Sequence, residues 1–330
     1  MLILNAGDVR ICLPMSECIE AMKRAFGVMA EGRAVVPIRA QLPVAPHAGT
    51  TLVMPAFVDD GGEQDALTVK VVSVFDNNPA NGLARIQAAV LVLDPETARP
   101  LAVLEGATLT GIRTAAVSGA ATDLMARSDS RVLGVLGAGV QARTHIEAVC
   151  CVRPIESVRV FARTRSAVDA LVAELSGRDG LPDDIRAGSS PQSVVEGVDI
   201  LCTTTTSTTP VFDDADVAPG THINAVGSYK PEVAEVPPQT VARARVVVDE
   251  FEAAWEEAGD LLQPLQSGII DREHVVAEFS ELVTGAKPGR VDDDEVTLFK
   301  SVGLAVEDAM AAQVTLANAR TAGLGQKVSW

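Results

Sequence analysis

A glycine-rich turn near the middle of the chain constrains the fold more than any other stretch. It lies within Arg131-Val-Leu-Gly-Val-Leu-Gly-Ala-Gly-Val-Gln-Ala142, directly after a short apolar run that carries no charge. Such a run is typical of a parallel strand buried on both faces. Gly137 permits a tight turn, Gly139 lets the backbone approach a pyrophosphate, and Ala142 allows a helix to pack closely on the strand. The stretch therefore predicts a strand, a phosphate-binding turn and a helix; a tight turn without a ligand is the alternative.

Strands and helices alternate after this turn. Further strands are predicted at residues 158–162, 199–205, 222–226 and 245–249, and a helix is predicted at 166–175. Alternation of this kind with short connections is typical of a doubly wound parallel sheet with helices on both faces. We therefore predict a Rossmann-type α/β domain in this part of the chain.

The region before the turn has the composition of an antiparallel sheet. Segments 50–54, 67–75, 87–93 and 101–104 are rich in Val and Leu, and residues 94–100 have the composition of a hairpin connection. A loop is predicted at 59–65. Helices are predicted from Met15 to Met29, at 108–125, and at 294–322, where Gly323 ends the last one.

The order of these regions predicts two domains, which is natural for 330 residues. Because helices that bracket an inserted domain commonly return to the first one, we expect the last helix to join the N-terminal part. The prediction is a discontinuous α+β substrate-binding and dimerisation domain at 1–118 and 301–330. The dinucleotide-binding domain is predicted at 119–300.

Composition excludes several classes of function. The formal net charge is −17, which disfavours nucleic acid and anionic membranes as partners, because both require a cationic surface. No apolar run approaches the length of a membrane span, and the first residues do not resemble a signal peptide. The five cysteines are scattered, and neither they nor the four histidines show a metal-binding spacing. We therefore expect a cytoplasmic protein without a metal site.

The second predicted strand of the Rossmann domain indicates which dinucleotide is bound. Sites that select NAD usually place an acidic residue at the end of this strand, where it binds the ribose 2′-hydroxyl. Here the strand ends in Arg163, Thr164 and Arg165 and has no acid. These side chains offer two cations and a hydroxyl to a 2′-phosphate. We predict a preference for NADP(H), with NAD(H) possible.

Three cations are candidates for binding an anionic substrate. Lys70 lies between Val69 and Val71 in an apolar strand, where it either protects a sheet edge or, if buried, binds a substrate carboxylate. Arg113 lies in a helix of small residues and could clamp a carboxylate with two hydrogen bonds; a surface salt bridge is the alternative. Arg39, at the start of the strand-rich region, is the third cation.

Five segments together resemble the ornithine cyclodeaminase/mu-crystallin family over nearly the whole chain. They are Lys70-Val-Val-Ser-Val-Phe-Asp-Asn-Asn78, Leu109-Thr-Gly-Ile-Arg-Thr-Ala-Ala116, Gly137-Ala-Gly-Val-Gln-Ala142, Gly220-Thr-His-Ile-Asn-Ala-Val-Gly-Ser228 and Asp294-Glu-Val-Thr-Leu-Phe-Lys-Ser-Val-Gly303. The resemblance implies a homodimer whose N-terminal sheets pair across a two-fold axis. It also implies that Arg39, Lys70 and Arg113 hold a substrate carboxylate beside the nicotinamide. The cofactor neighbours that it implies are Thr114, Thr203, Thr204, Val226, Gly227 and Ser301. The predicted cofactor site also includes Arg113 and the residues of the glycine-rich turn, Gly137, Ala138, Gly139, Val140 and Gln141.

One departure from the family decides which reaction we expect. Members that cyclise ornithine carry an aspartate after the Val-Gly pair, whereas this chain has Ser228 there, which we assign to substrate binding. A serine offers no full negative charge to an ammonium group and is no base near neutral pH without an activating partner. Glu252 is a candidate replacement carboxylate. Arg85 is a second departure, without an assigned role.

The expected activity is therefore the NAD(P)H-dependent reduction of a small cyclic imino acid. Three alternatives stay open at the level of sequence. They are an ornithine cyclodeaminase, an amino acid dehydrogenase of the alanine type, and a protein that binds NADPH and a small carboxylate without turnover.

Overall fold

A computed structural model describes residues 1–62 and 65–330. The loop predicted at 59–65 includes positions 63 and 64, which lie outside the described residues. Along the chain the first elements are β1 (Leu2–Leu4), α1 (Ala6–Cys12), α2 (Met15–Ala30), β2 (Ala34–Val35), β3 (Ala40–Val44), β4 (Gly49–Val58), β5 (Ala66–Phe75), β6 (Ile86–Leu93), β7 (Pro100–Glu105), α3 (Gly106–Met125) and β8 (Val132–Leu136). The remaining elements are α4 (Val140–Val152), β9 (Ser157–Phe161), α5 (Arg165–Leu175), β10 (Asp184–Ala187), α6 (Pro191–Val195), β11 (Ile200–Thr203), β12 (His222–Ala225), α7 (Pro238–Arg243), β13 (Arg245–Val248), α8 (Phe251–Glu257), α9 (Gly259–Gln266), β14 (Val275–Glu278), α10 (Phe279–Val283), β15 (Thr297–Lys300), α11 (Ala305–Ala322) and β16 (Gln326–Lys327).

The described chain forms two compact units. Unit 1 comprises Met1–Thr114 and Leu304–Trp330, and unit 2 comprises Ala115–Gly303. Unit 1 is thus made from both ends of the chain.

The sheet of unit 1 is antiparallel over most of its width. Its strand order is β16-β1-β7-β6-β5-β4-β2, and β3 pairs with β4. A parallel pair formed by β1 and β7 adds to the antiparallel set that the sequence predicts. Helix α11 packs against β4, β5 and α2. Lys70 lies opposite Met54 on β4 and Val90 on β6, and all three side chains are buried.

Local capping explains where two helices of unit 1 begin. The Asn5 side chain accepts hydrogen bonds from the backbone N–H groups of Gly7 and Asp8, and Asp8 accepts from the N–H of Asn5. This capping box begins α1. The carboxylate of Glu105 accepts from the N–H groups of Ala107 and Thr108 and so begins α3 at the end of a strand.

Unit 2 contains the predicted doubly wound sheet. Its eight strands are all parallel, in the order β10-β9-β8-β11-β12-β15-β13-β14. From β8 the chain adds strands toward one edge of the sheet, β9 and β10, and then returns to add β11 on the other side of β8. Ligands bind at the carboxyl ends of the two strands that flank such a switch point, here β8 and β11. Apolar side chains pack on both faces of the sheet, with Val135 and Ile146 on one and Leu201 and Val248 on the other. Three strands, β10, β14 and β15, were not among those predicted.

The prediction of one helix over 294–322 is wrong in its first part. The structure places strand β15 at Thr297–Lys300, and helix α11 begins only at Ala305. Strand β15 is fully buried between β12 and β13, so pairing on both sides stabilises the extended backbone there. Gly303 has a φ of 84°, which a helix does not accommodate. The predicted end of the helix is correct, because Gly323 forms a left-handed cap with a φ of 67°.

No helix among the described residues is long and apolar enough to cross a membrane.

Candidate active site

The glycine-rich turn joins β8 to α4, as the sequence predicts. Gly137 has a φ of 122°, and a Cβ atom there would lie 2.7 Å from the carbonyl oxygen of Thr204. The backbone N–H of Gly137 donates to the carbonyl of Phe161 at 2.8 Å, and that of Thr204 donates to Leu136 at 2.8 Å. Only glycine fits this position, because the conformation and the close approach of β11 both exclude a side chain.

The turn leaves the N-terminus of α4 available to a ligand. Gly139 precedes the first helical residue, and among the described residues no side chain caps the helix and no atom lies within 4 Å of a Cβ built at Gly139. The buried Oε1 atom of Gln141 has no hydrogen-bond partner in the described part of the chain. Val140 is exposed, whereas Ala142 is buried against the core. Backbone N–H groups and the helix dipole at this end fit the pyrophosphate of a dinucleotide.

The polar residues between β9 and the first turn of α5 lie on the surface. Arg163, Thr164 and Arg165 are all exposed, and Thr164 is the residue before the first turn of α5. Arg165 forms an exposed ion pair with Asp169, with 2.8 Å between Nε and Oδ1. The structure thus places two exposed cations beside a helix N-terminus, just after the second strand of the sheet.

The carboxyl ends of the central strands are held together by one buried glutamate. Glu235 accepts hydrogen bonds from the hydroxyl groups of Thr203 and Thr205 and from the N–H groups of Thr205 and Gly227. Burial, together with the nearby charge of Asp260, raises the pKa of Glu235. This carboxyl group therefore fixes residues at the ends of β11 and β12.

Other predicted cofactor neighbours lie at the same edge of the sheet of unit 2. Thr204 follows β11 and bonds to the end of β8, and Val226 donates from its N–H to the carbonyl of Thr203 at 3.1 Å. Ser301 follows β15 and donates from its N–H to Ala225 at 3.2 Å. The ends of four neighbouring strands thus bring these residues together, whereas Thr114 belongs to unit 1.

Ser228 lies in a buried polar cluster that the sequence does not predict. Its hydroxyl donates to the carboxylate of Asp260, and Lys300 donates to that hydroxyl at 3.0 Å. Lys300 also forms an ion pair with Asp260 at 2.9 Å, and both side chains are fully buried. The carboxylate that contacts Ser228 is therefore Asp260 and not Glu252, the candidate from the sequence. Glu252 is exposed on α8.

Lys70 and Arg113 are brought together in unit 1 through acidic residues of α11. Oδ2 of Asp308 lies 2.5 Å from Nζ of Lys70, and Oδ1 of Asp308 accepts a hydrogen bond from Nε of Arg113 at 2.9 Å. Glu307 accepts from Nη1 of Arg113 at 2.6 Å. All four side chains are buried. Lys70 is therefore neither an edge-protecting charge nor exposed, and Arg113 does not form a surface salt bridge.

The two acids were missed by sequence reasoning, although a signal was present. Glu307 and Asp308 are adjacent acidic residues at the start of a helix of small apolar residues, where a charge has to be paired if it is buried. Burial lowers the pKa of Lys70 to about 8 despite the opposing influence of Asp308. The amine is thus less firmly protonated than an exposed lysine.

Arg39 lies directly before β3, and Arg85 lies directly before β6. Arg39 is half-buried, and the first residue of β3 lies opposite Val53. Arg85 forms an ion pair with Asp76 at 2.7 Å near the end of β5. The structure thus brings together two of the three predicted substrate cations and places the third at the edge of the same sheet.

Outside these clusters, the described histidine and acidic side chains form no metal-binding site. Among the described residues no three His, Cys, Asp or Glu side chains are arranged to hold a metal ion. His145 is buried between the hydroxyl of Ser118 and the carbonyl of Gln141, and burial lowers its pKa to about 4. It is a neutral structural residue of unit 2 near neutral pH.

The chain is similar to known proteins over nearly its whole length. The model of the ornithine cyclodeaminase/mu-crystallin family matches residues 1–323. A protein of Bacillus cereus named Delta(1)-pyrroline-2-carboxylate reductase is 39% identical over 331 residues, which is 100% of each chain. A solved structure of Thermococcus litoralis Delta(1)-pyrroline-2-carboxylate reductase in complex with NADH and L-proline has a TM-score of 0.95 at 40% identity, over 99% of this chain and 100% of that one. An archaeal alanine dehydrogenase dimer with bound NAD has a TM-score of 0.91 at 32% identity, over 100% and 99%.

Proposed function

The chain belongs to the ornithine cyclodeaminase/mu-crystallin family, and from this membership we propose that it is an NAD(P)H-dependent reductase of a small cyclic imino acid of the Δ1-pyrroline-2-carboxylate type. The observation that carries the proposal is the buried pairing of Lys70 and Arg113 around Asp308. Two cations held in a dry environment suit a substrate carboxylate. Relatives that are 39% and 40% identical to this chain carry the corresponding reductase name. One of them is described with L-proline, the reduced product of such an imine.

The residues of unit 1 would bind and orient the substrate. When bound, the nicotinamide cofactor supplies hydride to the imine carbon. Arg113 uses Nε and Nη1 for its acidic partners, and its Nη2 donates to none of the described residues. We assign Nη2, the ammonium of Lys70 and the guanidinium of Arg39 to the substrate carboxylate. Their contribution is positioning and charge stabilisation.

Ser228 would act on the substrate nitrogen as an acceptor. Its hydroxyl hydrogen is already donated to Asp260, and one lone pair accepts from Lys300. A hydroxyl oxygen has a second lone pair, which could accept from an iminium or amine N–H. Ornithine cyclodeamination needs a base, whereas residue 228 is a serine and the neighbouring carboxylate of Asp260 is already paired with the ammonium of Lys300, which disfavours that reaction.

The dinucleotide would bind along the carboxyl edge of the sheet of unit 2. The pyrophosphate is assigned to the turn from Gly137 to Gln141, and the nicotinamide half to the region of Thr203, Gly227 and Ser301. We propose NADP(H) as the preferred form, because Arg163 and Arg165 offer cations where no acid stands. NAD(H) is the alternative cofactor, and the related structures are described with NADH and NAD.

A homodimer is proposed from the exposed face of the sheet of unit 1. Val53 and Val71 are register partners on the face opposite Lys70, with 37% and 41% of their surface exposed, and Leu42 on the neighbouring β3 is 63% exposed. An apolar sheet face of this kind is usually covered by a partner. A second copy is the proposed partner, because a related structure is a dimer. The double variant Val53→Lys/Val71→Lys should then sediment as a monomer. If it sediments with the mass of a dimer, this sheet face is not the dimer interface.

The cytoplasm is the proposed location. All five cysteines are free thiols, as expected in a reducing compartment.

A substrate panel tests the proposed activity. NADPH and NADH oxidation would be measured with cyclic imino acids, with keto acids plus ammonia or methylamine, and with L-ornithine. Preference for the five- or six-membered cyclic imines supports the proposal. Pyruvate with ammonia as the best substrate pair would favour an alanine dehydrogenase, in line with the archaeal relative. Ammonia release from L-ornithine without net cofactor reduction would favour a cyclodeaminase, and tight binding without turnover would favour a binding protein.

A further inference from the structure

The buried charges of unit 1 show how Lys70 and Arg113 are held. Lys70 is on β5, Arg113 is on α3, and Glu307 and Asp308 are adjacent on α11. The carboxylate of Asp308 contacts both cations, one through each oxygen. An isolated lysine and arginine at this burial would repel each other and would carry a large desolvation penalty. A bridging acid is therefore required if both are to remain charged in one place.

Glu307 has a different set of contacts. Its Oε2 atom accepts from Arg113, and its Oε1 atom accepts from the backbone N–H of Leu304, which precedes α11. Glu307 thus fixes the start of the helix and the guanidinium of Arg113. A guanidinium does not lose its proton in proteins, so this contact cannot decide a protonation state. Asp308 is the acid that contacts the group able to titrate.

We propose that Asp308 is a positioning residue of the proposed reductase, which holds Lys70 and Arg113 side by side and keeps the amine of Lys70 protonated for the substrate carboxylate. The proposal rests on the proposed function. It assigns no contact between Asp308 and the substrate or the cofactor; Asp308 acts through its two cationic neighbours.

The surroundings of Lys70 leave Asp308 as the main group that can keep it charged. Its register neighbours on β4 and β6 are Met54 and Val90, which are apolar. Arg113 disfavours the charged amine, and Glu307 favours it less than Asp308 does. Cys18 on α2 is a buried thiol near the same charges, and burial raises its pKa, so it is neutral. Burial alone lowers the pKa of a lysine, which makes the charge of Lys70 dependent on Asp308.

The sign of the expected pH effect follows from this dependence. The substrate carboxylate requires Lys70 in its charged form, so activity should fall as the pH rises through the pKa of Lys70. Removal of the negative charge of Asp308 leaves burial opposed only by the weaker influence of Glu307 and lowers that pKa. The alkaline limb of the pH profile should therefore move to lower pH in Asp308→Asn.

The test compares wild type, Asp308→Asn, Asp308→Glu and Glu307→Gln in the full chain. The pH dependence of kcat/KM would be measured with Δ1-pyrroline-2-carboxylate, so that ionisation of the substrate is common to all four. We expect the alkaline limb of Asp308→Asn to move down by about one pH unit or more, as for loss of an opposite charge at this distance. Glu307→Gln should move the alkaline limb less. Asp308→Glu keeps the negative charge, so its alkaline limb should stay close to that of the wild type. An unmoved limb in a folded Asp308→Asn protein overturns the inference.

A second measurement does not depend on turnover. The ε-amine of Lys70 can be titrated in the spectra of protein with ¹⁵N-labelled lysine side chains, with Lys70→Arg to assign the signal. The amine should titrate near pH 8 in the wild type and at lower pH in Asp308→Asn. If the wild type reduces no imine, the proposed function fails, while this titration still tests the link between the two residues. If Asp308→Asn does not fold, a wild-type amine that is already deprotonated at neutral pH overturns the inference, because Asp308 would then fail to keep it charged.

Discussion

Lys300 and Asp260 form a fully buried ion pair, with 2.9 Å between Nζ and Oδ2. The pair links the end of β15 to α9 and encloses the hydroxyl of Ser228. Asp260 also accepts from the backbone N–H groups of Glu235 and Val236, at 2.6 and 2.9 Å. This cluster therefore determines the path of the chain next to the carboxyl edge of the parallel sheet.

Removal of Lys300 should be strongly destabilising. Lys300→Met leaves the carboxylate of Asp260 buried without its cation, which costs about 3–5 kcal/mol in the free energy of unfolding. Ser228→Ala is the matched control, because it removes a hydrogen bond and keeps the ion pair, at about 1–2 kcal/mol. Urea unfolding of the two variants and the wild type provides the measurement. Equal unfolding midpoints for Lys300→Met and wild type would show that the pair does not stabilise unit 2.

The strand, turn and helix around Gly137 could be predicted from sequence because they depend on short-range patterns. The bounds of β8 were predicted correctly, since a buried parallel strand is a continuous apolar run and a glycine turn ends it. Strand β15 could not be predicted, because its segment is extended only through pairing with β12 and β13. Local sequence carries little information about such distant partners.

The same limit applies to the site. Lys70 and Arg113 could be singled out as unusual cations, but their interpretation stayed open because burial depends on the covering helix. Asp308 comes from the other end of the chain and could not be matched to Lys70 by spacing. The cluster of Ser228, Asp260 and Lys300 likewise joins residues from three separate segments. What the sequence does not give is the set of partners for each buried charge.

Lys70 should be needed for turnover and not for binding of the cofactor. Lys70→Met replaces the ammonium by an apolar side chain of similar length, so the substrate carboxylate loses one cation while the glycine-rich turn of unit 2 is unchanged. We expect kcat/KM for the imine to fall by at least about a hundredfold, as for a buried charged hydrogen bond of about 3 kcal/mol. NADPH affinity, measured by fluorescence titration, should stay within about twofold. Val71→Ala, on the opposite face of β5, is the control. Rates like those of wild type in Lys70→Met would remove this residue from the mechanism.

The cofactor preference should depend on the two arginines after β9. Arg163→Ala/Arg165→Ala removes both cations assigned to the 2′-phosphate. The kcat/KM for NADPH should then fall about tenfold or more, and the value for NADH should change little, because charge-assisted hydrogen bonds contribute about 1.5–3 kcal/mol. Arg186→Ala changes an exposed arginine on the neighbouring edge strand β10 and is the control. A tenfold higher efficiency of the wild type with NADH would contradict the preference for NADP(H).

Acid should destabilise unit 2 through His145. Burial lowers the pKa of this histidine to about 4, whereas an unfolded chain has its ordinary value of about 6.5. Above pH 6.5 the histidine is neutral in both the folded and the unfolded state and does not reduce stability. As the pH falls from 6.5 through 4, the unfolded state gains a proton first, so the folded state loses stability. The loss amounts to at most about 3 kcal/mol. His145→Gln should reduce the slope of unfolding free energy against pH in this range. His47→Gln, at an exposed position, should not. Parallel pH slopes for His145→Gln and wild type would show that His145 is not the group responsible.

Arg39 should contribute to substrate affinity because the buried cluster of unit 1 is electrically neutral on its own. Lys70 and Arg113 carry two positive charges, and Glu307 and Asp308 carry two negative ones. A substrate carboxylate would add a third negative charge, which is unfavourable at this burial unless another cation compensates it. Arg39 is the half-buried cation at the edge of the same sheet. We therefore expect Arg39→Met to raise the KM for the imine by about tenfold, the loss of roughly 1.4 kcal/mol, with a smaller effect on kcat. Arg39→Lys should recover part of the affinity because it restores the charge without the planar two-point contact. Steady-state kinetics at saturating NADPH would separate the two parameters, and an unchanged KM in Arg39→Met would remove this residue from substrate binding.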